Sequence, residues 1–197
     1  MRILSVGAAL ALLAPLPALA QSDPAVAPVQ ALDAGLLSIM KAGAKAGVNA
    51  RAASIGPVVD RSFDLPLMTR LAVGPSWTTI AAADQAALVA AFRRLTVNSY
   101  AANFDGFSGQ SFTVTPQVET RGGDKLVRTT LNDPKGTPVA ISYRLRQSGG
   151  GWRVIDVFYK SISQLATRRS DFGTVLQRGG AKALLQRMDQ LAAKGAG

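Results

Sequence analysis

The chain has 197 residues, a formal charge of +10, no cysteine and no histidine. Without those two residue types a Ser-His-Asp or Cys-His nucleophile is excluded, and so is a zinc site built on imidazole or thiolate. No disulfide can staple the fold, so packing alone must hold it, and a chain this long forms one domain with a real core.

Residues 1–20 read as a secretory signal. Arg2 supplies the positive start, residues 3–13 are apolar apart from Ser5 and Gly7, and Pro15 and Pro17 end the run. Ala18-Leu19-Ala20 is an A-x-A cleavage site before Gln21. The run falls short of the roughly 20 apolar residues that span a bilayer. No later stretch is longer and more apolar, so the exported chain is expected to be soluble and periplasmic. Export also argues against nucleic acid as the partner of the basic charge. That charge is read either as dispersed, solubilising surface or as a means of transient docking to an anionic membrane surface.

The polar, proline-containing segment 21–28 is expected to be a loose arm, followed by a single domain over 29–197. Val29, Leu32, Leu36 and Met40 recur at helical spacing, with Asp33 on another face. Residues 51–74 read as short helices, with Pro57 in the first turn of one. Asp64 is the expected N-cap of another, whose stripe is Phe63, Leu67, Met68 and Leu71. Gly74-Pro75 stops that run and Trp77 opens the next. The longest helix lies within residues 81–107, with Leu88, Phe92, Leu95 and Tyr100 on its apolar side and Phe104 near its end.

Four strands are predicted next, over 111–120, 125–131, 137–147 and 152–160. Turn signals separate them: Arg121-Gly122-Gly123-Asp124, Asp133-Pro134-Lys135-Gly136 and Ser148-Gly149-Gly150-Gly151. Connections this short require an antiparallel meander. Val139, Ile141, Tyr143 and Leu145 alternate cleanly with Arg144 and Arg146, which implies one packed face and one wet face. In the fourth strand Val154 and Phe158 fall on one face, and Ile155, Val157 and Tyr159 on the other. That reads as a central strand covered on both sides. The tail reads as two short helices, 171–178 capped by Ser170, and 181–194 after Gly179-Gly180.

The fold class that follows is α+β. A four-stranded curved antiparallel sheet of cystatin-like or NTF2-like shape has helices from both ends of the chain covering one face. Incomplete covering leaves an apolar pocket, and such pockets take small ligands. Its candidate lining is Phe63, Leu67, Met68, Leu71, Trp77, Phe92, Tyr100, Phe104, Ile141, Tyr143, Val157 and Tyr159. The same residues would serve equally as a filled core. Arg168 and Arg169 are candidates for contact with a head group or partner. Arg93 and Arg94 offer the same chemistry, or are plain surface.

The order Phe63-Asp64, Met68, Leu71, Gly74, Trp77, followed by the aromatic-rich helix over 88–100, resembles the periplasmic MlaC lipid-binding family, also called the toluene-tolerance family. The later residues Trp152-Arg153-Val154-Ile155-Asp156-Val157, Ile162-Ser163, Arg169, Phe172, Gly180 and Leu184-Leu185 extend the resemblance over nearly the whole exported chain. Residues 63–74 look most like its hopanoid-associated HpnM branch, and Leu65 stands where the commoner pattern has an aromatic. The resemblance implies a non-catalytic shuttle for phospholipid or hopanoid between inner and outer membrane, without cofactor or metal. Its implied partners are the components of an inner-membrane ABC transporter and an outer-membrane protein. Two other classes stay open: an envelope scaffold without ligand, and a cone-fold isomerase using Asp156 or Tyr143 as acid or base.

Overall fold

The computed structural model describes residues 22–194; the expected signal peptide lies outside them. Helices α1 (Val26–Ala42), α2 (Gly47–Ser62), α3 (Leu65–Val73) and α4 (Ala82–Asn103) precede the strands β1 (Ser111–Val114), β2 (Glu119–Arg121), β3 (Asp124–Asn132), β4 (Val139–Ser148), β5 (Gly151–Tyr159) and β6 (Ile162–Ser163). The kinked helix α5 (Gln164–Lys194) follows. No helix among the described residues is long and apolar enough to cross a membrane.

The sheet is antiparallel in the order β1-β3-β4-β5-β6, with β2 beside β3. It has six strands where four were expected, for two local reasons. The expected strand 111–120 is broken at Pro116, which has no N–H to donate to a ladder and is tolerated only at an edge. Its halves pair with opposite ends of β3, Ser111 with Asn132 and Arg121 with Asp124. The second addition is the two-residue β6, which folds back on β5 and pairs Tyr159 with Ile162. A register shift opposite Arg144 and Leu145 places Val154 across from Leu145, while Val157 stays across from Tyr143. One extra residue in β5 therefore brings Val154 to the packed side with Val157, which simple alternation could not predict.

The helices also start where chain chemistry, rather than apolar spacing, sets them. Asp23 accepts from the Ala25 N–H at 2.9 Å and α1 begins at Val26. Within the segment expected to be a loose arm, Ala25 and Val26 are buried and Asp23 bonds Lys125 at 2.6 and 2.7 Å. Pro57 lies inside α2 rather than in a first turn; both it and Ala53, whose carbonyl loses its helical donor, are exposed to water. Helix α5 starts at Gln164, seven residues earlier than predicted. Ser163 Oγ accepts from Ala166 N–H, and Asp156 accepts from Ser163 Oγ and Leu165 N–H. The predicted break is present at Gly180, whose φ of +65° suits glycine.

The core joins Val29, Leu32 and Leu36 of α1, Ile55 and Val59 of α2, and Leu88 and Ala91 of α4. Val127, Tyr143, Leu145 and Val154 of the sheet meet Phe172, Leu184 and Met188 of α5 in the same cluster. Helices α1, α2, α3 and α5 each touch the sheet, whereas α4 makes its main contacts with α2, α3 and α5. The longest unbroken helix thus stands off from the strands.

Candidate functional site

The stand-off of α4 leaves a cavity of about 950 Å³ between it and the sheet. Of the twelve residues predicted from sequence to line a pocket, Phe63, Met68, Phe92, Tyr100, Phe104, Ile141, Tyr143, Val157 and Tyr159 line this one. Leu67, Leu71 and Trp77 do not; each is half-buried elsewhere. Trp77 lies past the end of α3, in the 3-10 turn Gly74–Thr79; for the two leucines the reason lies in which face of α3 packs. With Asp64 as its N-cap, accepting from Leu67 N–H at 3.0 Å, the buried face of α3 is Leu65, Met68, Thr69, Ala72 and Val73. Leu67 and Leu71 then point away from that face. Thr69 joins it because its hydroxyl donates to the Leu65 carbonyl at 2.8 Å, which hides its polarity.

Local structure explains how the other linings reach the cavity. Phe63 ends α2 in an extended conformation and bridges to Val154, while Asp64 N–H donates to the Val154 carbonyl at 3.0 Å. This seats the Phe63 ring against Tyr100 at 5.9 Å, and Tyr100 against Phe104 at the same separation. Phe92 meets Phe172 edge-on at 6.4 Å, so α5 closes one end of the aromatic wall. On the sheet side, register aligns Tyr143 with Val157 and Ile141 with Tyr159. Met40, Leu95, Phe107, Leu131, Val139 and Leu165 add to the apolar lining and were not predicted as such. Leu131 and Val139 form a cross-strand pair, which strand pairing alone could have suggested.

Three polar groups, Asp33, Tyr100 and Tyr143, belong to this wall or lie close to it. Asp33 is 5% exposed and neither carboxylate oxygen has a hydrogen-bond partner. Burial pushes its carboxyl up to about 7. The sequence puts it on another face than Val29, Leu32, Leu36 and Met40, but at one turn's spacing from Leu36 and Val29 it shares the buried stripe of α1. The Tyr143 hydroxyl is likewise buried without a partner. Burial raises the Tyr100 and Tyr143 phenols above their ordinary range, and the nearby Asp33 charge adds to both shifts. At neutral pH both phenols are neutral donors. No group of His, Cys, Asp or Glu suited to a metal occurs among the described residues.

The cations divide cleanly. Arg168 lines the cavity, and burial lowers its pKa. It forms no salt bridge among the described residues, since the neighbouring Asp171 is held by Arg187 through two 3.2 Å bonds. Arg169 is not in the lining. Its guanidinium lies beside Gly74, the C-cap of α3, where a cation complements the helix dipole. Arg93 is clamped on Asp60 by two 2.7 Å bonds and Arg94 pairs with Asp189 at 2.7 Å. Arg51, unremarked in the sequence, is a buried tie: it donates to the Ala101 and Gly43 carbonyls at 2.8 Å, joining the ends of α4 and α1. Asp156 is spent on the start of α5, as above, and does not line the cavity.

The profile of the family described as MlaC protein matches residues 30–190. The chain belongs to the MlaC family. Among solved structures, this MlaC-family chain is similar to the phospholipid-binding protein from Ralstonia solanacearum in complex with a phospholipid. The two share 26% identity at a TM-score of 0.77, over 89% of this chain and 100% of that one.

Proposed function

We propose that this chain is a soluble periplasmic lipid carrier that takes the apolar part of a phospholipid into the cavity between α4 and the sheet. The observation that carries the reading is the cavity itself: about 950 Å³, walled by aromatic and aliphatic side chains, in a chain whose solved neighbour holds a phospholipid. Its volume lies at the upper end of small-molecule sites, which run to roughly 1,000 Å³. Each CH₂ hidden from water is worth about 0.8 kcal/mol, so acyl chains do not cross an aqueous compartment unescorted at a useful rate. Arg168, at the cavity and without an ion-pair partner among the described residues, is the group suited to a phosphate.

The MlaC family is periplasmic in general, and that compartment fits a signal at residues 1–20 with cleavage after Ala20. In this role the chain shuttles lipid between inner and outer membrane, receiving or delivering it through an inner-membrane ABC transporter and an outer-membrane partner. It performs no catalysis. Hopanoid, the cargo suggested by the HpnM-like stretch 63–74, is the competing ligand, and one experiment separates the two. The protein is purified without detergent, extracted with organic solvent, and the extract analysed by mass spectrometry. Stoichiometric phospholipid is expected; a triterpenoid would reassign the cargo. No lipid in the extract, together with no uptake from labelled liposomes, would refute the carrier reading. Ile141, 5% exposed in the cavity wall, gives the matching variant: Ile141→Trp should fill the space and lower uptake about tenfold while the circular dichroism spectrum is kept.

A further inference from the structure

Three large apolar side chains are exposed among the described residues: Phe107 at 43%, Tyr159 at 46% and Ile162 at 62%. They are not scattered. Phe107 and Tyr159 both line the edge of the cavity, and Ile162 is the cross-strand partner of Tyr159. The tip that carries the last two is the hairpin Tyr159-Lys160-Ser161-Ile162. Its central residues have φ of +49° and +67°. Two-residue hairpins normally place Asn or Gly in that left-handed region, because a Cβ is strained there. Here the strained turn places Lys160 Nζ 5.5 Å from the Tyr159 ring centre. On the loop after α4 the pattern repeats, with Lys41 Nζ 5.4 Å from the Phe107 ring centre.

An exposed aromatic or aliphatic tip with an ammonium alongside matches the layering of a bilayer surface, apolar below and anionic above. A protein partner fits less well. A stable interface needs about 800 Å² on each side, more than three side chains offer, whereas shallow insertion needs only such a tip. We propose that the β5–β6 hairpin tip and Phe107 form an insertion rim, through which the cavity opens directly onto an anionic lipid surface. The proposal rests on the carrier reading and deepens it by naming the surface that the cavity mouth meets while cargo is exchanged beside the transporter and the outer-membrane partner. Asp105 and Asp133 also line the cavity, so net electrostatic attraction is modest, the apolar tip supplies most of the binding, and salt weakens it only partly.

The test is flotation of the full-length protein, as purified from expressing cells, with phosphatidylcholine vesicles and with vesicles that also contain phosphatidylglycerol. The wild type should float with the anionic vesicles, and Tyr159→Ser/Ile162→Ser and Phe107→Ser should each bind about tenfold less. All three sites are exposed, so the melting temperature should hold. After delipidation, Ile162→Ser alone should still take up phospholipid delivered from cyclodextrin, because Ile162 does not line the cavity, while its uptake from vesicles slows. Equal vesicle binding by wild type and variants overturns the rim. So does wild-type binding confined to native envelope vesicles and abolished by shaving those vesicles with protease, which would mean a protein partner. Failure of the delipidated wild type to take up cyclodextrin-delivered lipid would instead sink the carrier reading on which the rim depends.

Discussion

Asp33 is the residue whose behaviour departs most from its type. A carboxylate buried without partners is tolerated only if it keeps its proton. Its folded-state pKa, about 7, lies above the ordinary 3.8. Between those values the folded protein holds a proton that the unfolded chain has lost. Stability is therefore greatest below about pH 4, declines as pH rises to about 7, and is level beyond, by ~4 kcal/mol from this group. Asp33→Asn should flatten that decline, which urea titrations across the pH window would measure. Asp124 acts in the opposite sense. Arg146 and Arg144 hold its carboxyl below the usual range, so its contribution is present above an ordinary aspartate pKa and fades as pH falls through its lowered value. Neither behaviour could be read from the sequence. An aspartate in a helical stripe looks like a surface residue until the packing of the neighbouring elements is known. Arg51 was missed for the same reason: the carbonyls it ties lie 8 and 50 residues away.

At the scale of elements, alternation and turn chemistry made the meander legible. β3, β4 and β5 were placed within a few residues, since side chains two apart must share a face. What alternation cannot carry is an interruption. Pro116 broke the edge strand, and the extra residue in β5 moved Val154 across the sheet. The start of α5 was missed because its cap is tertiary: Asp156 reaches from β5 to bond Leu165 N–H at 3.0 Å and Ser163 Oγ at 2.6 Å. Asp156→Ala should cost ~1–3 kcal/mol by leaving those donors unpaired. Because Leu165 and Arg168 sit in the first turns of that helix and line the cavity, lipid uptake should fall as well. Amide exchange localised to residues 164–168, read beside a urea midpoint, would check both effects. If exchange there is unchanged, the cap is unimportant. Two of the three misplaced pocket residues show the same limit at one helix: Leu67 and Leu71, like Met68, fit more than one stripe, and only the packing of α3 against its neighbours decides between them.

For the whole molecule, a sheet with helices from both ends of the chain was legible, and nine of the twelve candidate linings do meet around one space. The space itself was not legible. A filled core and an empty one have the same apolar sequence pattern, and only the distance of α4 from the strands separates them. Cargo in that space binds the folded state alone, so it should raise thermal stability by mass action. At a hundredfold excess over Kd the gain is about 2.7 kcal/mol, roughly 5–10 °C in Tm for a chain of this size. Delipidated and reloaded protein compared by calorimetry would measure it; identical transitions would mean that the cavity does not hold the lipid.

The enclosure is also finished late in synthesis. Phe172 covers Phe92 edge-on, and Leu184 and Met188 are fully buried, yet all three emerge from the ribosome after every strand. Until they do, α4 lacks one of its principal neighbours and the aromatic wall is uncovered. The nascent chain therefore has no complete fold to reach before its last helix is made.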